Sequence, residues 1–547
     1  MARAFASSYL AGEAVARAFI PRDFRDAAAR VARTRAAAER GVAPELLAVL
    51  QEQQARLPPS PARAAHLEAL RAGGTAVVVT GQQAGLFLGP LYSYYKAASA
   101  VAVARALAAE SGVPCVPLFW LQTEDHDFAE VAAATVADRA GAPLRLALDP
   151  ESPAEARVSI AHRRLGPEVE GVLGALAAAL PAGPAADETV ALLHAHYASG
   201  RSLGSAFAGL LGALFADEGL LIFDPREARV AALAAPVYRR AVTGARALEQ
   251  GLDARRAALA DAGFDEQIPA RAGCALLFFH RGGPTGPRHR LQRAGGGPGD
   301  APPGWSLSGC DEGISETALA AALEEEPLRF STSALLRPIV QDTLWPTAAY
   351  VGGPAELSYF AQLGPVYEHF GLPLPLVVPR ARFRCVDARA RRLLAELGIT
   401  ADDVGGPRGA LLVRLGVAAT PAGAPTPEAL RARVASEIAP AVDDIARVVS
   451  GAVPPLGRAA ARTRASVAHA LARLSDRYAR ALGERDRVAV DRLARVEAAL
   501  APGGVPQERA YAWPSLAGRV GPAALARLCA ASLAADPFAT GLREITS

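Results

Sequence analysis

Lysine is almost absent from this 547-residue chain: of its 58 Lys and Arg residues only Lys96 is lysine, and the other 57 are arginine. Asparagine is missing altogether, and Met1 is the only methionine. The codons for these three residues are AT-rich, so a GC-rich genome accounts for the loss and for the abundance of Ala, Gly, Arg and Pro. A lysine that survives such drift stands out. Long apolar runs are lacking too: no stretch of about 18 uninterrupted apolar residues occurs, which argues against a membrane span. The opening MARAFASSYLAGEAVARAFIPRDF has no continuous apolar region of the kind a signal peptide carries. Cysteine is sparse and odd in number (Cys115, Cys274, Cys310, Cys385, Cys529), and neither CxxC nor HxxxH spacing occurs. This excludes a disulfide scaffold, predicts no structural metal site and suits a reducing cytoplasm. Neither sign of charge dominates, since the net charge is +3, and a phosphate-tracking nucleic-acid surface is not expected.

What is present is a chain 51% hydrophobic and 21% charged, enough for roughly three or four folded units. Residues 1–70 carry helical spacing up to the Pro58-Pro59 and Pro61 breaks. TAVVVT from Thr75 then meets GQQAGLFLGP and a long helical stretch, a strand–loop–helix pattern. Further strands are expected at VPCVPLFWLQ (113–122), PLRLAL (143–148), LLIF (220–223) and PLVV (375–378), separated by helices. The pattern predicts an α/β fold with a doubly wound, mostly parallel sheet. Its first part spans 71–224 and its second 331–395. The intervening 225–330 reads as an insertion, helical over 228–262, with a hairpin around Ala275–Phe279 and a Gly/Pro-rich loop at 293–305. A connector (396–426) leads to 427–502, where apolar residues such as Leu430, Val434, Ile438, Val442 and Ile445 step by three or four. Two long helices folded back at Gly451–Gly457 are expected, the first kinked by Pro440. Their apolar stripe suits internal packing or a dimer seam equally. Residues 503–547 are expected to pack back on the core.

Three regions could carry chemistry. In the first, Gly81-Gln82-Gln83 lies where a strand's carboxyl end meets a helix, the edge at which open α/β sheets bind ligands. Gly81, Gly85 and Gly89 would let a phosphate or carboxylate approach the backbone and the following helix N-terminus. Tyr92 and Lys96 share a face of that helix, and Lys96 leans back toward the loop as a point-charge anion contact. A tight turn and a solvated lysine are the bland alternatives. The second region, Glu124-Asp125-His126-Asp127, follows an apolar strand and could hold a divalent metal or orient His126 for acid–base work, or could simply cap the next helix. The third, 335–380, packs Arg337, Gln341, Asp342, Tyr350, Gly352-Gly353, Glu356, Ser358, Tyr359 and Gln362 into one apolar segment, where a turn opening a helix suggests a second anion or amine site. Ordinary packing is the competing reading there.

The motifs TGQQAGLFLGPLYSYYKAASA (80–100), PLFWLQTEDHDFAEV (117–131), LLRPIVQDTLWPTAAYVGGPAELSYFAQL (335–363), VYEHFGLPLPLVVPR (366–380) and GVPQER (504–509) together resemble the bacillithiol biosynthesis cysteine-adding enzymes, the cysteine ligase family. That resemblance implies a Rossmann-like core related to nucleotidylyl-transferase folds and a helical coiled coil at 427–502 that makes a homodimer. It also implies a cytoplasmic reaction joining cysteine to the amine of glucosaminyl-malate. An amide does not form from a free carboxylate without activation, so ATP is expected as co-substrate, with Mg²⁺ as its possible companion. Lys96, Glu124, Asp125, His126 and Asp127 would then be catalytic. Gln82, Gln83, Tyr92, Arg337, Gln341, Asp342, Tyr350, Glu356, Ser358, Tyr359 and Gln362 would bind substrate, and the glycines at 81, 85, 89, 352 and 353 the nucleotide. Lys96→Ala and His126→Ala are each expected to abolish product without unfolding the chain. The alternatives are another amino-acid ligase or nucleotidyltransferase on the same scaffold, or a non-catalytic dimeric coiled-coil protein.

Overall fold

Three consecutive valines, Val77, Val78 and Val79, are fully buried and form the middle of the central strand. Interior strands of a parallel sheet are covered on both faces and so read as continuous apolar runs rather than alternating ones. The computed structural model describes residues 4–294, 304–310, 313–418, 420 and 424–546, so most of the expected Gly/Pro-rich loop at 293–305 lies outside the described residues. The sheet strands are β1 (Ala76–Gln82), β2 (Cys115–Leu121) and β3 (Leu221–Phe223), with β9 (Thr347–Gly352) and β10 (Leu376–Pro379) added after the insertion. They lie in the order β10-β9-β1-β2-β3 and every pairing is parallel. This is the expected Rossmann-like, doubly wound α/β arrangement. The chain leaves β1 toward β2 and β3, then returns to the other side of β1 as β9, so the order reverses between β1 and β9. Ligand crevices form at such a switch point.

Helix α1 (Tyr92–Ser111) follows β1 and ends at Gly112, whose φ of 70° supplies the left-handed cap. α2 (Arg337–Leu344) and α3 (Pro354–Phe360) flank β9. The insertion holds more than the expected hairpin. After helices Ala228–Thr243 and Ala245–Asp261 it forms a five-stranded antiparallel sheet in the order β8-β4-β5-β6-β7. Its strands are β4 (Cys274–His280), β5 (Arg288–Arg293), β6 (Gly304–Leu307), β7 (Gly313–Ser315) and β8 (Phe330–Thr332). The expected strand at 143–148 also forms, as Pro143–Ala147, but it pairs with Ala133–Ala137 outside the main sheet.

The chain divides into two compact units, one of residues 1–139, 144–384 and 511–545, the other chiefly Cys385–Ala510. The second unit is helical. Its hairpin arms are α4 (Ala439–Ala452) and α5 (Gly457–Arg485), and the turn between them contains Pro454-Pro455. Before Pro440, Val434–Ile438 is a π-helical turn. Proline has no N–H to give to the carbonyl four residues back, and the wider turn falls where that bond is lost, at the position of the expected kink. Part of the expected connector is itself helical, Arg408–Ala418, and packs on α5.

The loop after β1 is closely packed by its own backbone and by neighbouring residues. A Cβ on Gly81 would sit 2.7 Å from the Trp120 carbonyl oxygen, and one on Gly85 would collide with that of Gly89. Gly85→Ala is expected to cost about 1–3 kcal/mol or more in urea unfolding. Gly41→Ala, where a Cβ meets nothing within 4 Å, should leave the midpoint near that of the wild type.

Candidate active site

The carboxyl ends of the strands bring the polar residues together. Lys96, one turn into α1, is 3% exposed and spends its three donors on the chain itself. It donates to the Gly81 carbonyl (2.8 Å) and to Gln82 Oε1 (2.9 Å), and it pairs with Glu356 Oε2 at 2.5 Å. Glu356, on α3, also accepts from the Gly353 N–H (2.7 Å) and from the Tyr350 hydroxyl. The carboxylate thus occupies the turn that was expected to receive a ligand's anion. Burial raises the Glu356 carboxyl, but Lys96, the tyrosine and the amide together outweigh that and hold it below its ordinary value. Burial pulls Lys96 below the usual lysine range, with Glu356 opposing.

From this pair a hydrogen-bonded line runs along the edge. Gln82 Nε2 donates to Gln83 Oε1 (3.3 Å), and Gln83 Nε2 donates to Asp125 Oδ2 (2.9 Å) and Glu130 Oε2 (2.7 Å). Asp125 Oδ1 accepts from the His126 backbone N–H (2.7 Å) and from Arg288 (3.3 Å), and the same guanidinium nitrogen lies 3.2 Å from His126 Nδ1. Burial pushes the Asp125 carboxyl up, yet His126, Arg288 and Gln83 hold it well below the usual carboxylate range, so it is ionised at neutral pH. Gln82, Gln83, Asp125 and His126 are all half-buried, which leaves this line open to a small molecule.

Several expected site residues do other work. Where a phosphate or carboxylate contact was expected, Lys96 gives its three donors to Gly81, Gln82 and Glu356. The expected anion cradle at Gly81, Gly85 and Gly89 is filled by backbone, and the Leu91 N–H at the start of α1 is taken by the Tyr511 carbonyl. Gly352 is packed against Tyr350 and the Glu356 side chain. Glu124 turns into the insertion and accepts from the Thr332 backbone N–H (3.2 Å) and hydroxyl (2.6 Å). Asp127 caps the short helix Phe128–Val131 through the Glu130 N–H. Among the described residues no group of three His, Cys, Asp or Glu side chains is placed to hold a metal ion.

Arg337 is buried behind Tyr350 and donates to Gln341 Oε1 (2.7 Å) and the Tyr359 hydroxyl (3.1 Å). Gln341 donates onward to Asp342, which also receives the Tyr367 hydroxyl, and all of these lie inside the core. Ser358 bonds within α3, and Gln362 latches the backbone of Ile268. Tyr92 lies under the Arg380 guanidinium, 5.3 Å from the centroid of its ring.

Arg380 and Arg288 were not foreseen. Arg380 follows β10 directly, so the carboxyl-edge rule applied to PLVVPR would have found it. Arg288 is one of 57 arginines, on the strand that pairs with the expected hairpin segment Ala275–Phe279, and nothing local marks it.

Fold and site together define a Rossmann-like α/β enzyme with a polar carboxyl edge and an appended helical unit. Comparison with known proteins gives the family. "Bacillithiol biosynthesis BshC, N-terminal Rossmann-like domain" matches residues 2–381, and the C-terminal coiled-coil domain of the same family matches 385–537. Among similar proteins, the "Putative cysteine ligase BshC" of Salinibacter ruber is 36% identical over 70% of this chain and 68% of its own. That of Koribacter versatilis is 34% identical over 86% and 84%. The chain belongs to the BshC family and is an enzyme of the class that forms carbon–nitrogen bonds. Among the described residues no helix is long and apolar enough to cross a membrane.

The buried pair makes a pH prediction. Because the folded-state Glu356 carboxyl lies below its ordinary value of 4.5, its contribution to stability is present above that value and is lost as pH falls through the folded-state value. Urea midpoints measured from pH 7 down should therefore fall less steeply below about 4.5 in Glu356→Gln than in the wild type. Parallel slopes would contradict the assignment.

Proposed function

We propose that this enzyme adds cysteine to the amine of glucosaminyl-malate, the last step of bacillithiol biosynthesis, with ATP activating the cysteine carboxyl. The observation that carries the reading is the line from Glu356 to Arg288, an open edge of amide, carboxylate and imidazole groups in a family whose relatives are named cysteine ligases. An ionised, half-buried Asp125 suits the ammonium of an amino acid. The half-buried Gln82 and Gln83 side chains offer further polar contacts. In this reading ATP is a co-substrate of the open edge and not a ligand of the glycine loop, whose space and amides the chain itself takes. Mg²⁺ arrives with the nucleotide, because Asp127 and Glu124 are engaged elsewhere.

The direct test incubates purified protein with cysteine and glucosaminyl-malate, with and without ATP and Mg²⁺, and reads products by mass spectrometry. The expected result is the cysteinyl amide with release of AMP or ADP only when ATP is present. Turnover with some other amine and none with this one would contradict the reading.

The same proposal includes a cytoplasmic homodimer built on the helical hairpin. Ile445, Val448 and Leu474 are 63%, 56% and 58% exposed, apolar side chains that one hairpin leaves uncovered. Ile445→Glu combined with Val448→Glu should convert a dimer into a monomer in sedimentation equilibrium. A wild-type chain that is monomeric at micromolar concentration would remove this part of the proposal.

A further inference from the structure

The contact between Arg288 and His126 decides what the imidazole can do. A guanidinium only donates hydrogen bonds. Its terminal nitrogen lies 3.2 Å from His126 Nδ1, a contact that is a hydrogen bond when Nδ1 presents its lone pair. The one rival is Asp125 Oδ1, which could accept a hydrogen bond from Nδ1, but it lies farther away at 3.5 Å. That oxygen also already accepts from the His126 backbone N–H at 2.7 Å and from Arg288 at 3.3 Å. Arg288 cannot easily turn aside. Its Nε donates to Ser331 Oγ (3.0 Å), its second terminal nitrogen donates to the Thr332 carbonyl (2.6 Å), and its plane lies 3.7 Å over the Phe278 ring. Burial lowers its pKa to about 10, so it remains a cation at neutral pH. The insertion therefore holds it in place through β4, β5 and β8.

We propose that Arg288 is a positioning residue that keeps the neutral His126 ring protonated on Nε2, so that His126 serves the site as a hydrogen-bond donor to a substrate oxygen and not as a base toward the amine. His126 Nε2 has no protein partner among the described residues, and the side chain is 28% exposed at the open edge. Resting on the ligase reading, the oxygen it meets is that of the activated carboxyl group, where negative charge develops as the amine attacks. An imidazole with its lone pair turned to Arg288 has none to offer the amine. Asp125 and Arg288 are the charged groups in contact with the ring, Arg290 stacks on the Phe278 ring that His126 also faces, and Arg288 is fixed by three contacts on the insertion.

Nitrogen NMR of the full-length protein labelled with ¹⁵N-histidine tests this without any substrate. At a pH where the imidazole is neutral, and with His126→Gln used to assign its signals among the nine histidines, Nε2 should be of the protonated type and Nδ1 of the lone-pair type. In Arg288→Met the Nδ1-protonated form should gain population. A wild-type ring protonated on Nδ1 would overturn the proposal whatever the substrate proves to be. If the ligase assay succeeds, a second readout applies. His126→Gln keeps an N–H donor and should stay within about tenfold of the wild-type kcat, whereas His126→Ala should fall by about 10²–10³. Equal loss in both variants would show a base and overturn the proposal.

Discussion

The ion pair between Lys96 and Glu356 is the interaction on which the arrangement of the edge depends. It ties the helix after β1 to the helix after β9 across the switch point, where the two halves of the sheet meet. Burying two charges costs several kcal/mol per ion unless each is paired and its remaining donors and acceptors are met. Here both conditions hold, because the ammonium has three acceptors and the carboxylate has the ammonium, an amide and a phenol. Removing one partner leaves the other buried and unpaired. For that reason the expectation that Lys96→Ala would spare the fold does not survive the geometry.

Gln82 and Gln83 carry order from this pair to Asp125, and Arg288 and Thr332 carry it from the insertion. The polar edge is therefore built from both sides. The Rossmann-like sheet supplies the carboxylate and imidazole, and the antiparallel sheet supplies the cation that orients them. An insertion within a nucleotide-binding type of fold thus becomes part of the site rather than an ornament on it.

How much of this could be read in the sequence depended on how local each signal was. β1, β2, β3 and β10 were legible because parallel strands buried on both faces are continuous apolar runs. β9 was not, since TAAYVG is short and rich in small residues, although Tyr350 within it and Gly353 and Glu356 beyond it were singled out. Lys96 was found through the genome's bias against lysine, and its place beside the loop was right. Its partner was not legible, because a single sequence does not reveal that an acid 260 residues away will close over it. The cluster at 124–127 was found as a unit, but the directions of its side chains are set by contacts that only folding makes: Asp127 to its own helix, Glu124 to Thr332, and Asp125 and His126 to Arg288. Arg288 was hidden by the same bias that exposed Lys96, since arginine is the default cation in this chain.

The most direct test of this account is a double-mutant cycle on the buried pair, read as urea unfolding free energies of the wild type, Lys96→Met, Glu356→Gln and the combined variant. If the pair organises the edge, each single change should cost about 3–5 kcal/mol, and the double variant should be far less destabilised than the sum of the two. Additive losses, or single changes that leave the midpoint unmoved, would show that the pair does not hold the edge together.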